Sequence, residues 1–254
     1  MAPIVAIFGH AVQSYHLCAA AAGLVGFLLA VLALRGEGVW RFLLPLLTTA
    51  AALIGARLLN VLTNPEAYHD FSPFSLSYTK LSLMGGLILG VAVLLLFAAV
   101  KKRPTGQVLD AFVLPAAAEI VLLKTGCFLN GCCFGKPTEG PFGMIFPANQ
   151  KKYDFINSLS ILKATSPVVH PTQLYELCGA VLAAVLALTL GRRLKPGGKF
   201  WLFAMGFSLT RLIVLPLRVL PYDRAVTAVF YPCLYGAILL LGALRLIFSN
   251  RKAR

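Results

Sequence analysis

The residues able to do chemistry fall into two runs. Lys124-Thr-Gly-Cys-Phe-Leu-Asn-Gly-Cys-Cys-Phe-Gly135 ends a long apolar segment with a lysine, an asparagine and three cysteines. His170-Pro-Thr-Gln-Leu-Tyr-Glu176 opens the next apolar segment with an imidazole, an amide, a phenol and a carboxyl. Hydrocarbon disfavours such groups, so each needs a partner or a task. The two runs are expected to face each other at one membrane surface and form a site.

Other charges stand inside apolar segments: Arg57, Glu119, Arg211 and, seven residues after Arg211 on the same helical face, Arg218. Ser208 shares that face. Near this end the cations Lys124, Arg57 and Arg211 outnumber the acids Glu119 and Glu176, which points to an anionic guest such as a phosphate. Internal ion pairing, with end-of-helix arginines snorkelling, is the plainer alternative. Glu119 and Lys124 are five apart and point to different sides of their helix. Arg245, near the other end of its segment, reads as a snorkelling residue.

Pro171 suits a first helical position, and the free N–H groups there can hold an anion. Gln173 and Glu176 share a face. Desolvation at the membrane edge would suit Glu176 to the role of base; His170 reads either as a base or as a capping residue.

The cysteines divide by place. Cys18, Cys178 and Cys233 lie in apolar runs and read as packing residues. Cys127, Cys132 and Cys133 are spaced C-x4-C-C, which lacks the C-x2-C pairs of a four-thiolate metal site. On an oxidising face Cys127 could pair with Cys132 or Cys133. Lys124, one turn before Cys127, would favour a nucleophilic thiolate. Simple packing or a free thiol also fits.

Composition sets what must position these groups. Hydrophobic residues are 59% of 254 and charged residues 13%, with a mean hydropathy of +0.82. That excludes a soluble domain and indicates an integral membrane protein. The net charge of +14 is no sign of nucleic-acid binding, because much of it sits in short loops, the pattern that orients membrane helices. It also suits an anionic lipid.

The expected fold is all-α, with seven spans at Leu17–Leu34, Phe42–Leu62, Leu83–Val100, Val108–Leu129, Gln173–Leu190, Phe200–Leu217 and Ala225–Phe248. Residues 1–254 read as a single membrane domain. Of 23 basic residues, 12 fall in the first, third and fifth loops and the C-terminal tail, 7 on the opposite side and 4 inside segments. This predicts an outside N-terminus, a cytoplasmic C-terminus and both polar runs toward the outer face. Met1 to His16 carries no Lys or Arg, so the first segment is expected to be a retained helix. Gly86 and Gly90, and the stripe Gly179, Ala180, Ala183, Ala184 and Ala187, are expected to be helix contacts. The loops Thr63–Ser82, with Pro65, His69, Asp70 and Pro73, and Gly131–Thr172 are longer than connection needs. Short surface helices are expected there, with Phe142, Phe146, Tyr153 and Phe155 as interfacial anchors.

At these residues the chain resembles the prolipoprotein diacylglyceryl transferase family. Asp110 and then Lys124-Thr-Gly-Cys-Phe-Leu-Asn-Gly131 is similar to the family's signature stretch. His170-Pro-Thr-Gln-Leu-Tyr-Glu176 matches its His-Pro-Ser/Thr-Gln-Leu-Tyr-Glu run closely. Gly206-Phe-Ser-Leu-Thr-Arg-Leu-Ile213 resembles its arginine-bearing helix; Tyr15, Gly55-Ala-Arg57 and Met84-Gly-Gly86 fit weaker positions. The resemblance covers most of the chain.

It implies transfer of a diacylglyceryl group from phosphatidylglycerol to a lipobox cysteine thiol, with loss of glycerol phosphate. It further implies the outer leaflet of the bacterial inner membrane and no metal or cofactor. The expected partners are an anionic phospholipid and a lipobox-bearing protein, with no nucleic acid. Lys124 and Arg211 would hold the phosphate with Arg57 and Arg218 in support, and Asn130 and Gln173 would bond glycerol or ester oxygens. Tyr175 and Cys127 would line the substrate, and Glu176 or His170 would serve as base. The chain departs from the family pattern where Met84 replaces a proposed basic His, Lys124 an Arg, Cys127 an Asn and Cys132 an acid. A same-fold transferase with another acceptor, and a transporter or lipid-binding membrane protein, are the competing readings.

Overall fold

The computed structural model describes residues 4–7, 10–68, 81–146, 168–220 and 225–251. A short hairpin, β1 (Ile4–Ile7) and β2 (His10–Gln13), leads into α1 (Ser14–Ala33). Then come α2 (Trp40–Thr63), α3 (Leu83–Val100), α4 (Thr105–Ala111) and α5 (Val113–Leu129). A two-residue antiparallel pair, β3 (Met144–Ile145) and β4 (Val168–Val169), precedes α6 (Thr172–Leu190). The chain continues through α7 (Gly198–Val214), a 3-10 turn (Leu215–Leu217), a π-helical turn (Val226–Phe230) and α8 (Tyr231–Arg251).

Among the described residues, seven helical stretches are long and apolar enough to cross a membrane. They fall within a few residues of the expected spans. Apolar length alone decides this, because a backbone in hydrocarbon must satisfy its own hydrogen bonds. The fourth stretch is broken at Phe112. Pro115 has no N–H to give the Ala111 carbonyl and its ring crowds that group, so α4 ends and α5 starts anew.

The bundle core joins Met84 of α3, Val113, Ala117 and Ile120 of α5, Ala180, Ala183 and Ala187 of α6, Phe203 and Phe207 of α7, and Tyr231 and Tyr235 of α8. Side chains such as Leu24, Leu28, Leu96, Leu182 and Ile213 point away from it and are exposed, as a lipid-facing surface requires. Small residues set the closest approaches. Gly179 of α6 lies against Thr210 of α7, and a Cβ at Gly206 would stand 2.8 Å from that of Ala183. In α3, Gly86 and Gly90 face Ala52 and Thr48 of α2, but the tightest contact is at the neighbouring Gly85, where a Cβ would come within 2.6 Å of Leu59.

Phe146 is not an interfacial anchor. It is fully buried, stacked on Phe134 with ring centroids 5.3 Å apart and edge-on to Phe128 at 5.9 Å. With Val169 these rings form a small second core beside the cysteine run. Phe142 is 75% exposed, as expected of an anchor. His69, Asp70, Pro73, Tyr153 and Phe155 lie outside the described residues.

The two ends of the bundle differ in polarity. At one end Arg103 and Glu37 pair at 2.9 Å, joining the first and third connections. There too Asp110 of α4 caps α7, its Oδ2 accepting from Gly197 N–H at 2.9 Å and its Oδ1 from Phe200 N–H at 2.8 Å. The far end, where α5 and α7 finish and α6 begins, carries the two polar runs.

Candidate functional site

Glu176 is the centre of that end. One turn into α6, its side chain is 1% exposed. Lys124 Nζ from α5 pairs with its Oε2, and Arg211 Nη1 from α7 with its Oε1. Arg218 Nη1, just past the 3-10 turn, donates to the same Oε1 at 2.7 Å. Four groups from separate parts of the chain thus meet, three cations on one anion. A single buried carboxylate cannot neutralise them, so the cluster holds two positive charges in excess. Glu119 does not help: its carboxyl lies against Gly26 of α1, where a Cβ would overlap it.

Glu176, expected as a base, has both oxygens paired with cations, so it also anchors the cationic groups. Met84, at the position where the family pattern has His, is 4% exposed within the bundle core.

Arg211 is fixed from a second direction. Its Nε donates to Tyr235 Oη at 3.1 Å, and its guanidinium lies over the Tyr235 ring at 5.7 Å. Tyr235 is fully buried and was missed as a site residue. Its only sequence signal is the Tyr231/Tyr235 spacing on one face of an otherwise aliphatic helix. Ser208 is buried one turn from Arg211, as its spacing predicts.

The cysteine run wraps over the start of α6. After α5, Asn130 ends the helix and Gly131 turns left-handed at φ 63°. Cys132 N–H returns to the Cys127 carbonyl at 3.0 Å. Cys133 is left-handed too, at φ 64°, an uncommon state for a side-chain-bearing residue. Two buried side chains of α6 pin this turn: Thr172 Oγ1 donates to the Cys133 carbonyl at 2.7 Å and Gln173 Nε2 to the Cys132 carbonyl at 2.6 Å. Gln173 therefore spends its donor on the loop, while its Oε1 has no hydrogen-bond partner among the described residues, nor has Arg218 Nε. All six cysteines carry free thiols. Cys132 Sγ donates to the Cys127 carbonyl at 3.6 Å; the Cys127 side chain pulls its pKa down, but Cys133 and burial together push it up to about 11.

The chain past Cys133 forms a short ladder. Gly135 N–H bonds the His170 carbonyl at 2.8 Å, and Lys136 N–H the Leu217 carbonyl at 2.8 Å. Gly135 thus separates the backbones of His170 and Arg218, and a Cβ there would come within 2.7 Å of Thr172. His170 itself is half-buried, its Nδ1 3.3 Å from Tyr175 Oη.

Of the expected site residues, the structure brings Lys124, Glu176, Arg211 and Arg218 into contact. It sets Gln173, Cys127, Asn130, His170 and Tyr175 around the same helix end. Arg57 stands on α2, half-buried, outside the trio that pairs with Glu176. Asp110, part of the quoted signature, is at the opposite end as a helix cap.

Among the described residues, then, helices long and apolar enough to cross a membrane close on a buried cluster of three cations and one carboxylate at one end of the bundle. The model of the family described as prolipoprotein diacylglyceryl transferase matches residues 3–248, and the chain belongs to that family. It is similar to the phosphatidylglycerol–prolipoprotein diacylglyceryl transferase of Clostridium tetani, 29% identical over 65% of this chain and 63% of the relative. That of Bordetella parapertussis is 32% identical over 64% of this chain and 58% of its own length. That of Geobacter sulfurreducens is 32% identical over the same shares, 64% and 58%. The matched stretch thus spans less than two thirds of the length of these curated relatives.

Proposed function

We propose that this protein transfers the diacylglyceryl group of phosphatidylglycerol to a cysteine thiol of a lipobox-bearing acceptor. The observation that carries the reading is the trio Lys124, Arg211 and Arg218 on the single carboxylate Glu176. In the reaction the acceptor sulfur attacks the glyceryl carbon that bears the phosphate. A C–S bond forms, the C–O bond to phosphate breaks, and glycerol phosphate leaves with the electron pair. Negative charge grows on the departing phosphate, and cations already held in place by Glu176 and Tyr235 meet it without reorganising. The thiol proton goes to a base, and His170 is the candidate with a nitrogen not tied to the backbone. Asn130 and the unpartnered Oε1 of Gln173 face glycerol hydroxyls, and Arg57 supports the headgroup from α2.

The reading places the protein in a bacterial inner membrane, as one multi-pass domain with this end toward the outer leaflet. That orientation rests on the basic-residue bias of the opposite loops. The test is direct. Purified protein is given labelled phosphatidylglycerol and a lipobox peptide, beside Lys124→Ala and Arg211→Ala. Thioether product from the parent and almost none from the variants supports the reading. Release of glycerol phosphate without peptide product redirects it to another acceptor, and neither product nor release overturns it.

A further inference from the structure

Among the described residues, Cys127, Cys132 and Cys133 bring their Sγ atoms within 4.8 Å of one another. Their spacing in sequence gives no hint of this. The fold achieves it by turning the chain back on itself with two left-handed residues, Gly131 and Cys133. The Cys132 N–H bond to the Cys127 carbonyl closes the turn. Thr172 and Gln173, both buried, then hold the carbonyls of Cys133 and Cys132 from the α6 side. The backbone that carries the three thiols is therefore fixed before anything binds, and the side chains need only small rotations to converge.

We propose that these three cysteines form a tris-thiolate site for one thiophilic d10 cation, Zn2+ or Cu+. Ligand distances of about 2.3 Å place thiolate sulfurs about 3.8 Å apart around such an ion, so sulfurs already within 4.8 Å of one another need close by no more than about 1 Å. Soft sulfur ligands select this class of cation over Mg2+ or Ca2+. On binding, each thiol gives its proton to solvent, so a zinc tris-thiolate carries one net negative charge and a copper(I) complex two. Lys124 stands one turn before Cys127 on α5 and brings one positive charge near that anion. Gly126, the residue before Cys127, packs against Tyr15 and Cys18 of α1, which close this side of the site. This departs from the metal-free expectation drawn from the resemblance, and it does not depend on the transfer reaction.

The experiment uses the full chain in detergent, reduced anaerobically and freed of reductant. Cd2+ is added and followed by its sulfur charge-transfer absorbance. Zn2+ and Cu+ are then titrated separately against chromophoric chelators. One equivalent per chain is expected, with affinity falling at least about tenfold in each of Cys127→Ser, Cys132→Ser and Cys133→Ser. Cys178→Ser and Cys233→Ser, on exposed positions of α6 and α8, should bind as the parent does. Uptake of Zn2+ or of Cu+ alone names the ion. No stoichiometric uptake by the parent, uptake that survives the three cluster substitutions, or an intramolecular disulfide whose reduction yields no binding overturns the proposal. Each readout is independent of lipid transfer, so its failure leaves the proposed activity standing, and the converse also holds.

Discussion

Each end of the bundle contains a carboxylate that ties one helix to another, and the two are used in opposite ways. Asp110 accepts two backbone N–H groups at the start of α7. Its charge meets the positive end of one helix dipole and is fully answered there. Glu176 is answered three times over, by Lys124, Arg211 and Arg218. A structural pair would stop at one partner. Holding surplus cations in a buried place is costly unless an anion arrives to share them. The contrast separates a fully matched joint from a cluster with cations in surplus, although both are built on acids inside apolar helices.

Substitutions can break this contrast, and the largest effects belong to the surplus cations. Lys124→Ala or Arg211→Ala should lower transfer to a lipobox peptide by about 100- to 1000-fold, read as initial rates with labelled phosphatidylglycerol. Next come the two base candidates. His170→Asn should lower the rate per folded molecule by about 100-fold. Glu176→Gln should instead destabilise the chain by about 3–5 kcal/mol, by leaving buried cations unpaired. A loss of rate per folded molecule in Glu176→Gln with none in His170→Asn would favour the carboxylate as base.

At the opposite end the effects should be on stability alone. Asp110→Asn weakens the α7 cap and should cost about 1–2 kcal/mol, seen as a lower melting temperature with unchanged rate per folded molecule. Glu37→Gln, which removes a partly exposed pair with Arg103, should cost less than about 1 kcal/mol.

Much of this was legible before any coordinates. The spans follow from apolar length, and the meeting of the Lys124 and His170 runs follows from groups that hydrocarbon would not tolerate unpaired. The excess of cations over acids also follows from counting. What the linear chain conceals is pairing at a distance. Asp110 and Gly197 are 87 positions apart, and nothing near either one announces the cap. Tyr235 is 24 positions from Arg211 and looks like any interfacial tyrosine. Phe146 reads as a membrane anchor because it lies in a long connection between two apolar segments, yet Phe134 and Phe128 enclose it. The C-x4-C-C spacing looks poor for joint action until two left-handed residues fold it over.

The bonds from Thr172 and Gln173 to the cysteine turn, with the ladder at Gly135 and Lys136, tie together points from 35 to 81 positions apart. The chain leaves this stitched region at Phe146 and returns at Val168, and Ile145 stands directly opposite Val168. Because the exit and the entrance are adjacent, a change in the length of the intervening stretch alters closure entropy little. The stitched region can therefore keep its geometry whatever the number of residues between its two edges.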